Sequence, residues 1–259
     1  MYILSVDTTA KSATVCVAKT DEISGLIPVS QLNLNSTSTH SESLLPMIDT
    51  ALSLASLELS DMDCLAITAG PGSFTGVRIG VSSVKGLAFS LGDNIPCIPL
   101  STLYCLALNA AAYGENTIVC PVMDARREQF YNALFKVSKG KLKRLCDDRV
   151  LTAKELTDEL SANYPGKKII VCGDGAKLYH SLFPKYAGEN TPKVSLARPE
   201  NLLQNAFSVA YAAYEIISSE AFEKENYKGS SLSPIYLRLS QAERERNEKL
   251  EKQNQGEIK

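Results

Sequence analysis

Residues 118–135 read Ile-Val-Cys-Pro-Val-Met-Asp-Ala-Arg-Arg-Glu-Gln-Phe-Tyr-Asn-Ala-Leu-Phe. An apolar run ends in Asp124, a charged turn follows, and a second apolar run opens at Phe130. Short apolar runs bounded by turn chemistry read as paired strands. Residues 2–18 follow the same plan: an apolar run to Asp7, a polar turn through Thr8 and Thr9, then Ala13-Thr14-Val15-Cys16-Val17-Ala18. In both places the second strand begins about six residues after the Asp. This weak internal repeat implies two related lobes.

Working outward, residues 26–34 read as a third strand. Residues 41–57 read as a helix, because Leu44, Ile48, Ala51, Leu52 and Ala55 fall at i, i+4, i+7, i+8 and i+11. Ser41 or Ser43 is the expected cap, with Pro46 tolerated near the first turn. Leu45, Met47 and Leu54 carry the apolar surface beyond one face, so this helix must bury more than one side. A strand over 64–69 leads into Gly70-Pro71-Gly72 and a helix over 73–90, stopped by Gly92. Mid-helix glycine costs about 1 kcal/mol relative to alanine. Gly76, Gly80 and Gly86 in one helix therefore predict another backbone packed close by. Beyond it come a strand at 95–100, a helix at 102–112, and a strand at 168–172 that runs into Gly173-Asp174-Gly175-Ala176 and a helix. A helix over 207–218 and a compact closing segment at 234–238 follow. From Gln241 the chain is polar and charged, the composition of a frayed helix or a disordered tail.

Composition narrows the function classes. A net charge of -2 lacks the basic excess of a protein that grips RNA alone. No apolar run reaches the roughly 20 residues of a membrane span. The N-terminus lacks a basic n-region and a cleavage site and reads as a strand, not a signal peptide. The seven cysteines are scattered without a CxxC pair, so they read as buried reduced thiols in a cytoplasmic protein.

The motifs read two ways. The Asp7-Thr8-Thr9 turn could hold a phosphate, or a metal through water, or could be an Asx-type turn capping its own backbone. Gly70-Pro71-Gly72-Ser73-Phe74-Thr75-Gly76 places glycines before a helix N-terminus, a potential anion site or a tight turn for close packing. It is neither a Walker A loop nor GxGxxG. The turn after Asp124 is filled by Arg126, Arg127 and Glu128, where a phosphate cradle needs glycine. That speaks against a working kinase or ATPase cleft. His40 and His180 are the only histidines, too few for a His-based metal site. His180 reads as a surface helix residue, His40 as a cap or interface residue.

Strand–Asp hairpin, second strand–Asp hairpin, strand–GDGA–helix: this order resembles the actin-like ATPase superfold (ASKHA, ribonuclease H-like), an α/β fold of two lobes, here in degenerate form. VDTT at 6–9, HSESLLPMI at 40–48, GPGSFTGVRIG at 70–80, KGLAFSLG at 85–92, MDARREQFY at 123–131 and PIYLR at 234–238 together resemble the TsaB/YeaZ family. The resemblance implies a non-catalytic subunit of a threonylcarbamoyltransferase complex. Its partner is a catalytic paralogue, TsaD, which places threonylcarbamoyl on N6 of a tRNA adenosine; a small ATPase, TsaE, binds the pair. Such a chain requires no cofactor or metal, ATP or ADP acting at the level of the complex, and meets tRNA only through the complex. It pairs with itself when the partner is absent. The paralogue's pair of metal-binding histidines is not matched, because only His40 stands on the comparable helix.

By this resemblance a first lobe spans 1–103 with the partner-binding helices, joined by a C-terminal helix around 205–220. A smaller second lobe spans 104–200, and a flexible charged tail 240–259. The expected interface is His40, Leu44, Leu45, Ile48, Leu52, Thr75, Arg78, Ile79, Ser82 and Ser83. Asp7, Thr8, Thr9, Gly173 and Asp174 are the residues expected to line any remaining nucleotide site. Rival readings are an active kinase or ATPase, a metalloprotease, and a protein that dimerises only with itself.

Overall fold

A computed structural model describes residues 1–35, 39–189 and 191–238. The charged tail expected over 240–259 lies outside them. In chain order the elements are strands β1 (Tyr2–Asp7), β2 (Ala13–Asp21) and β3 (Gly25–Leu34), helix α1 (His40–Leu54), β4 (Cys64–Gly70), α2 (Phe74–Ser90), β5 (Cys97–Ser101) and α3 (Thr102–Asn109). Then follow β6 (Ile118–Asp124), β7 (Gln129–Asn132), β8 (Phe135–Ser138), β9 (Lys141–Arg144), β10 (Arg149–Thr152) and α4 (Ala153–Asn163). The chain continues through β11 (Lys168–Cys172), α5 (Ala176–Tyr186), β12 (Lys193–Leu196), α6 (Pro199–Leu202) and α7 (Ala206–Ile217).

The first sheet runs β3-β2-β1-β4-β5 and the second β10-β7-β6-β11-β12. In each, three antiparallel strands join two parallel ones. The repeat read around Asp7 and Asp124 thus extends to whole-sheet topology, and the fold is the two-lobed actin-like type. The second sheet adds β8 and β9, with β8 continuing along β6. The expected single strand over 130–135 is broken at Ala133-Leu134, opposite Cys120-Pro121 in the register. Pro121 has no N–H to give to the ladder.

Period-two alternation divides the first lobe into two cores. Leu4, Val6, Val15 and Val17 face α1 and α2, packing on Leu44, Ile48, Val77 and Val81. Ile3, Cys16, Ala18 and Ala66 face α7, packing on Val209, Ala210 and Ala213. Ser5 on that second side donates to the Ala206 carbonyl at 2.7 Å. The second lobe has one core, between its sheet and α3, α4 and α5.

Capping is local and legible in part. The Ser73 hydroxyl accepts from the Gly76 amide at 3.3 Å, and Asn205 accepts from Phe207 at 2.9 Å. For α1 the cap is Thr39, not Ser41 or Ser43. Glu42 reaches back to accept from the Thr39 amide at 3.4 Å, the acid-at-N3 half of a capping box. Pro46 sits inside α1, beyond the first turn. Helix α3 stops at Asn109, short of the expected 112. All seven cysteines are free and all but Cys146 buried. Among the described residues no helix is long and apolar enough to cross a membrane.

Candidate functional site

Strand β1 delivers Asp7 to the sheet end, where the chain turns. Its carboxylate accepts from the Thr9 amide at 2.8 Å and the Thr9 hydroxyl at 2.6 Å. Of the two readings of this motif, the Asx-type turn is the one the geometry has. Thr68 stands beside the carboxylate without hydrogen-bond geometry. Asp7 is 1% exposed, and Thr8 and Thr9 are fully buried.

What covers the turn is the glycine-rich stretch. The Thr8 hydroxyl donates to the Gly76 carbonyl at 2.8 Å, and the Thr9 carbonyl accepts from Ser73 at 2.7 Å. A Cβ at Gly76 would overlap the Thr8 carbonyl, and one at Gly80 the Thr8 hydroxyl. The close backbone predicted from these glycines is the chain's own first turn. Gly86 differs: nothing lies within 4 Å of a Cβ there. The His40 Nε2–H donates to the Ala10 carbonyl at 2.7 Å, holding the far side of the turn.

The second lobe repeats the device. A Cβ at Gly173 would overlap the Val122 carbonyl, and one at Gly175 would lie 2.8 Å from the Asp124 amide. That amide donates to Asp174 at 3.3 Å. Between the lobes is a cavity of about 310 Å³ lined by Ala10, Lys11, Ser12, Asn35, Gly173 and Asp174, among others. Of the residues expected at a nucleotide site, the fold brings Gly173 and Asp174 to this cavity. Asp7, Thr8 and Thr9 lie beneath its neighbouring turn. Among the described residues there is no group of three or more His, Cys, Asp or Glu placed to hold a metal.

The expected interface divides by burial. Leu44, Ile48 and Leu52 are 0%, 3% and 7% exposed and belong to the first-lobe core. Their i, i+4, i+8 stripe is the inward face of α1, packed into this chain's own core. Leu45 points the other way, 51% exposed. On α2, Thr75, Arg78 and Ser82 are exposed, and Ile79 and Ser83 half-buried. Leu54, already read as carrying apolar surface beyond one face of α1, is 70% exposed, and Phe89, absent from the expected interface, is 83% exposed. Phe89 continues the i, i+4, i+7, i+11, i+14 stripe of Thr75, Ile79, Ser82 and Gly86, which a phase count along α2 would have found. Arg78 lies over the Phe74 ring at 3.8 Å and donates from Nε to the Tyr236 hydroxyl at 2.7 Å. Phe74 and Tyr236 stack at 4.7 Å. His40, half-buried, faces the Asp7 turn; His180 is exposed on α5.

Two sheets of one topology, closed around a cleft by glycine turns, define a protein of the actin-like class. The chain belongs to the TsaD family, tRNA N6-adenosine threonylcarbamoyltransferase, whose family model matches residues 25–246, and within it to the TsaB/YeaZ branch. It is 36% identical over 131 residues to the tRNA threonylcarbamoyladenosine biosynthesis protein TsaB of Haemophilus influenzae, a match spanning 51% of this chain and 52% of that one. The chain thus spans about half the length of that relative. It is 28% identical over 247 residues to TsaB of Bacillus subtilis, covering 94% of this chain and 96% of that one. Among solved structures it resembles YeaZ from Pseudomonas aeruginosa, with a TM-score of 0.69 at 24% identity, covering 91% of this chain and 99% of that one.

Proposed function

We propose that this chain is a non-catalytic subunit in the making of N6-threonylcarbamoyladenosine in tRNA, and that it activates a TsaD-like paralogue by pairing with it. The observation that carries this is the outer face of α1 and α2. Leu45, Leu54 and Phe89 stand 51%, 70% and 83% exposed on helices whose other sides fill a core. Fully burying a Leu or Phe side chain contributes roughly 1.5–3 kcal/mol, so these side chains with Ile79 offer a partner an apolar anchor. The small residues between them, Thr75, Ser82, Ser83 and Gly86, let a second helix pair approach closely.

The closed Asp7 turn supports a non-catalytic role: the Thr9 amide donates to the Asp7 carboxylate, so that N–H is not offered to a phosphate. The names of the TsaB relatives support the pathway. On this reading residues 1–103 with 205–220 present the interface and 104–200 form the smaller lobe. A TsaE-like ATPase joins the pair, tRNA is reached through the assembly, and ATP or ADP acts there. The same face pairs two copies of this chain when the paralogue is absent, and the setting is cytoplasmic.

The test is size-exclusion chromatography with light scattering, on this chain alone and mixed with the TsaD-like paralogue of its own genome. A one-to-one complex is expected, lost in the Leu45→Asp/Phe89→Asp variant while its circular dichroism and melting stay near wild type. No complex at any nucleotide or salt condition would overturn the proposal. The interlobe cavity of about 310 Å³ favours the kinase or ATPase reading next, to be examined by nucleotide hydrolysis.

A further inference from the structure

The turn joining β6 to β7 has an unusual backbone. Arg126, Arg127 and Glu128 all have positive φ, at 64°, 57° and 53°. Side-chain-bearing residues rarely adopt this region, and a run of three persists only where the surroundings over-determine it. Here they do. The Ala125 amide donates to the Gln129 carbonyl at 2.9 Å and the Gln129 amide to the Arg126 carbonyl at 3.1 Å. The Glu128 carbonyl accepts from the Ala153 amide at 2.9 Å. From outside the lobe, Arg238 donates through Nη1 to the Ala125 carbonyl at 2.8 Å. Glycine would fit such a turn most easily, yet the sequence places two arginines in it.

Those arginines are left free by their own neighbours. Asp124 accepts from the Arg126 backbone amide at 2.7 Å, and Glu128 accepts from the Tyr186 hydroxyl at 3.1 Å. Both guanidinium side chains are exposed. Among the described residues neither makes an ion pair or a side-chain hydrogen bond. The chain's net charge is -2, so the pair is a local feature and not part of a generally basic surface. The closing segment links the turn to the start of α2. Arg238, which holds the turn, lies two residues from Tyr236, which stacks on Phe74 at the start of that helix.

We infer that the Asp124–Gln129 turn is a contact surface for the phosphate backbone of RNA, with Arg126 and Arg127 each taking a phosphate of the tRNA held by the assembly. This rests on the proposed function. Guanidinium groups match phosphate bidentately, and the turn itself carries no large apolar side chain of the kind that forms the core of a protein interface. Two contacts of this type position an RNA without reading its sequence. They are too few to hold it alone, in keeping with the absence of a basic excess.

The test measures tRNA binding to the purified complex of this chain with its paralogue, across about 50 to 200 mM salt. In the Arg126→Gln/Arg127→Gln variant the affinity is expected to fall about 5- to 20-fold at the low-salt end. The slope of log K against log salt should become shallower by about 1 to 2. The Arg126→Lys/Arg127→Lys variant should recover most of the slope, and pairing with the paralogue should be unchanged in both. Wild-type affinity and slope in the Gln variant would overturn the inference. So would loss of pairing in that variant, which would assign the turn to an acidic protein surface. If the wild-type chain does not pair with the paralogue, the proposed function itself fails and takes this inference with it.

Discussion

Asp7 is a carboxylate that the fold shuts away from water. Burial pushes its pKa from 3.8 up to about 6, against the opposing pull of the two hydrogen bonds from Thr9. The sign follows from linkage. Between about pH 4 and 6 the folded chain keeps a proton that the unfolded chain has lost, so stability from this group is greatest below about pH 4. It declines as pH rises and is gone above about 6. About two units at 1.4 kcal/mol each bound the effect at roughly 3 kcal/mol. Asp7→Asn, whose carbonyl can still accept from Thr9, should therefore gain about 1–3 kcal/mol at pH 7.5 and about a third of that at pH 4.5. Urea unfolding at the two pH values checks this, and a variant weaker than wild type at both would show that the charged Thr9 bonds outweigh the cost of burial. The residue was legible in the sequence as a strand-ending Asp in a polar turn. Its burial was not, because the cover is supplied by Gly72, Gly76 and Gly80, far along the chain.

Helices α1 and α2 show where periodicity suffices and where it fails. Apolar spacing placed α1 over 41–57, three residues past its end at Leu54, and the Gly70-Pro71-Gly72 turn with the Gly92 stop placed α2 within a residue. Spacing did not assign their faces, because α1 carries apolar residues on more than one side. Leu44, Ile48 and Leu52 were indistinguishable in kind from Leu45 and Leu54 until the sheet beneath them was placed. The glycines of α2 were equally ambiguous: they signal close approach, but not by what. Gly76 and Gly80 meet the chain's own Thr8, whereas Gly86 meets nothing. Alanine substitutions should separate the two cases. Gly86→Ala should stabilise the isolated chain by about 0.5–1 kcal/mol, the helix-propensity gain alone. Gly76→Ala drives a methyl into a backbone carbonyl, which cannot move without displacing the Asp7 turn, and should cost more than about 2 kcal/mol or abolish soluble expression. Equal melting temperatures for the two variants would contradict this account of the packing. Gly86→Ala has a second use. If the outer stripe of α2 receives a partner helix, the added methyl should weaken pairing with the paralogue although the isolated chain is stabilised, a divergence that light scattering and thermal melting read separately.

At the scale of the molecule, the segment from Gly229 to Arg238 joins what the sheets keep apart. It starts at the far end of α2, where Gly229 packs on Ala88 and the Ser230 amide donates to Asp93 at 3.2 Å. Leu232 enters the first-lobe core. The Ile235 amide then donates to the Ala69 carbonyl at 2.7 Å, Tyr236 stacks on Phe74, and Arg238 reaches the second lobe at Ala125. The sequence showed a compact closing segment at Pro234–Arg238 but not its partners, which are more than a hundred residues distant and matched by shape instead of periodicity. The segment thus runs along α2 and ends on the β6–β7 turn, touching both lobes. Arg238→Ala should leave both cores intact and lower stability by about 1–2 kcal/mol, the scale of a hydrogen bond from a charged donor. Its sharper consequence is local. Hydrogen exchange should quicken at residues 125–129, where the left-handed run depends on that contact, while amides of β1 and β4 keep their wild-type protection. Tyr236→Ala should quicken exchange both there and at the start of α2, since it cuts the segment upstream of Arg238. If residues 125–129 exchange at the wild-type rate in both variants, the turn holds itself and the segment is no more than a cover for α2.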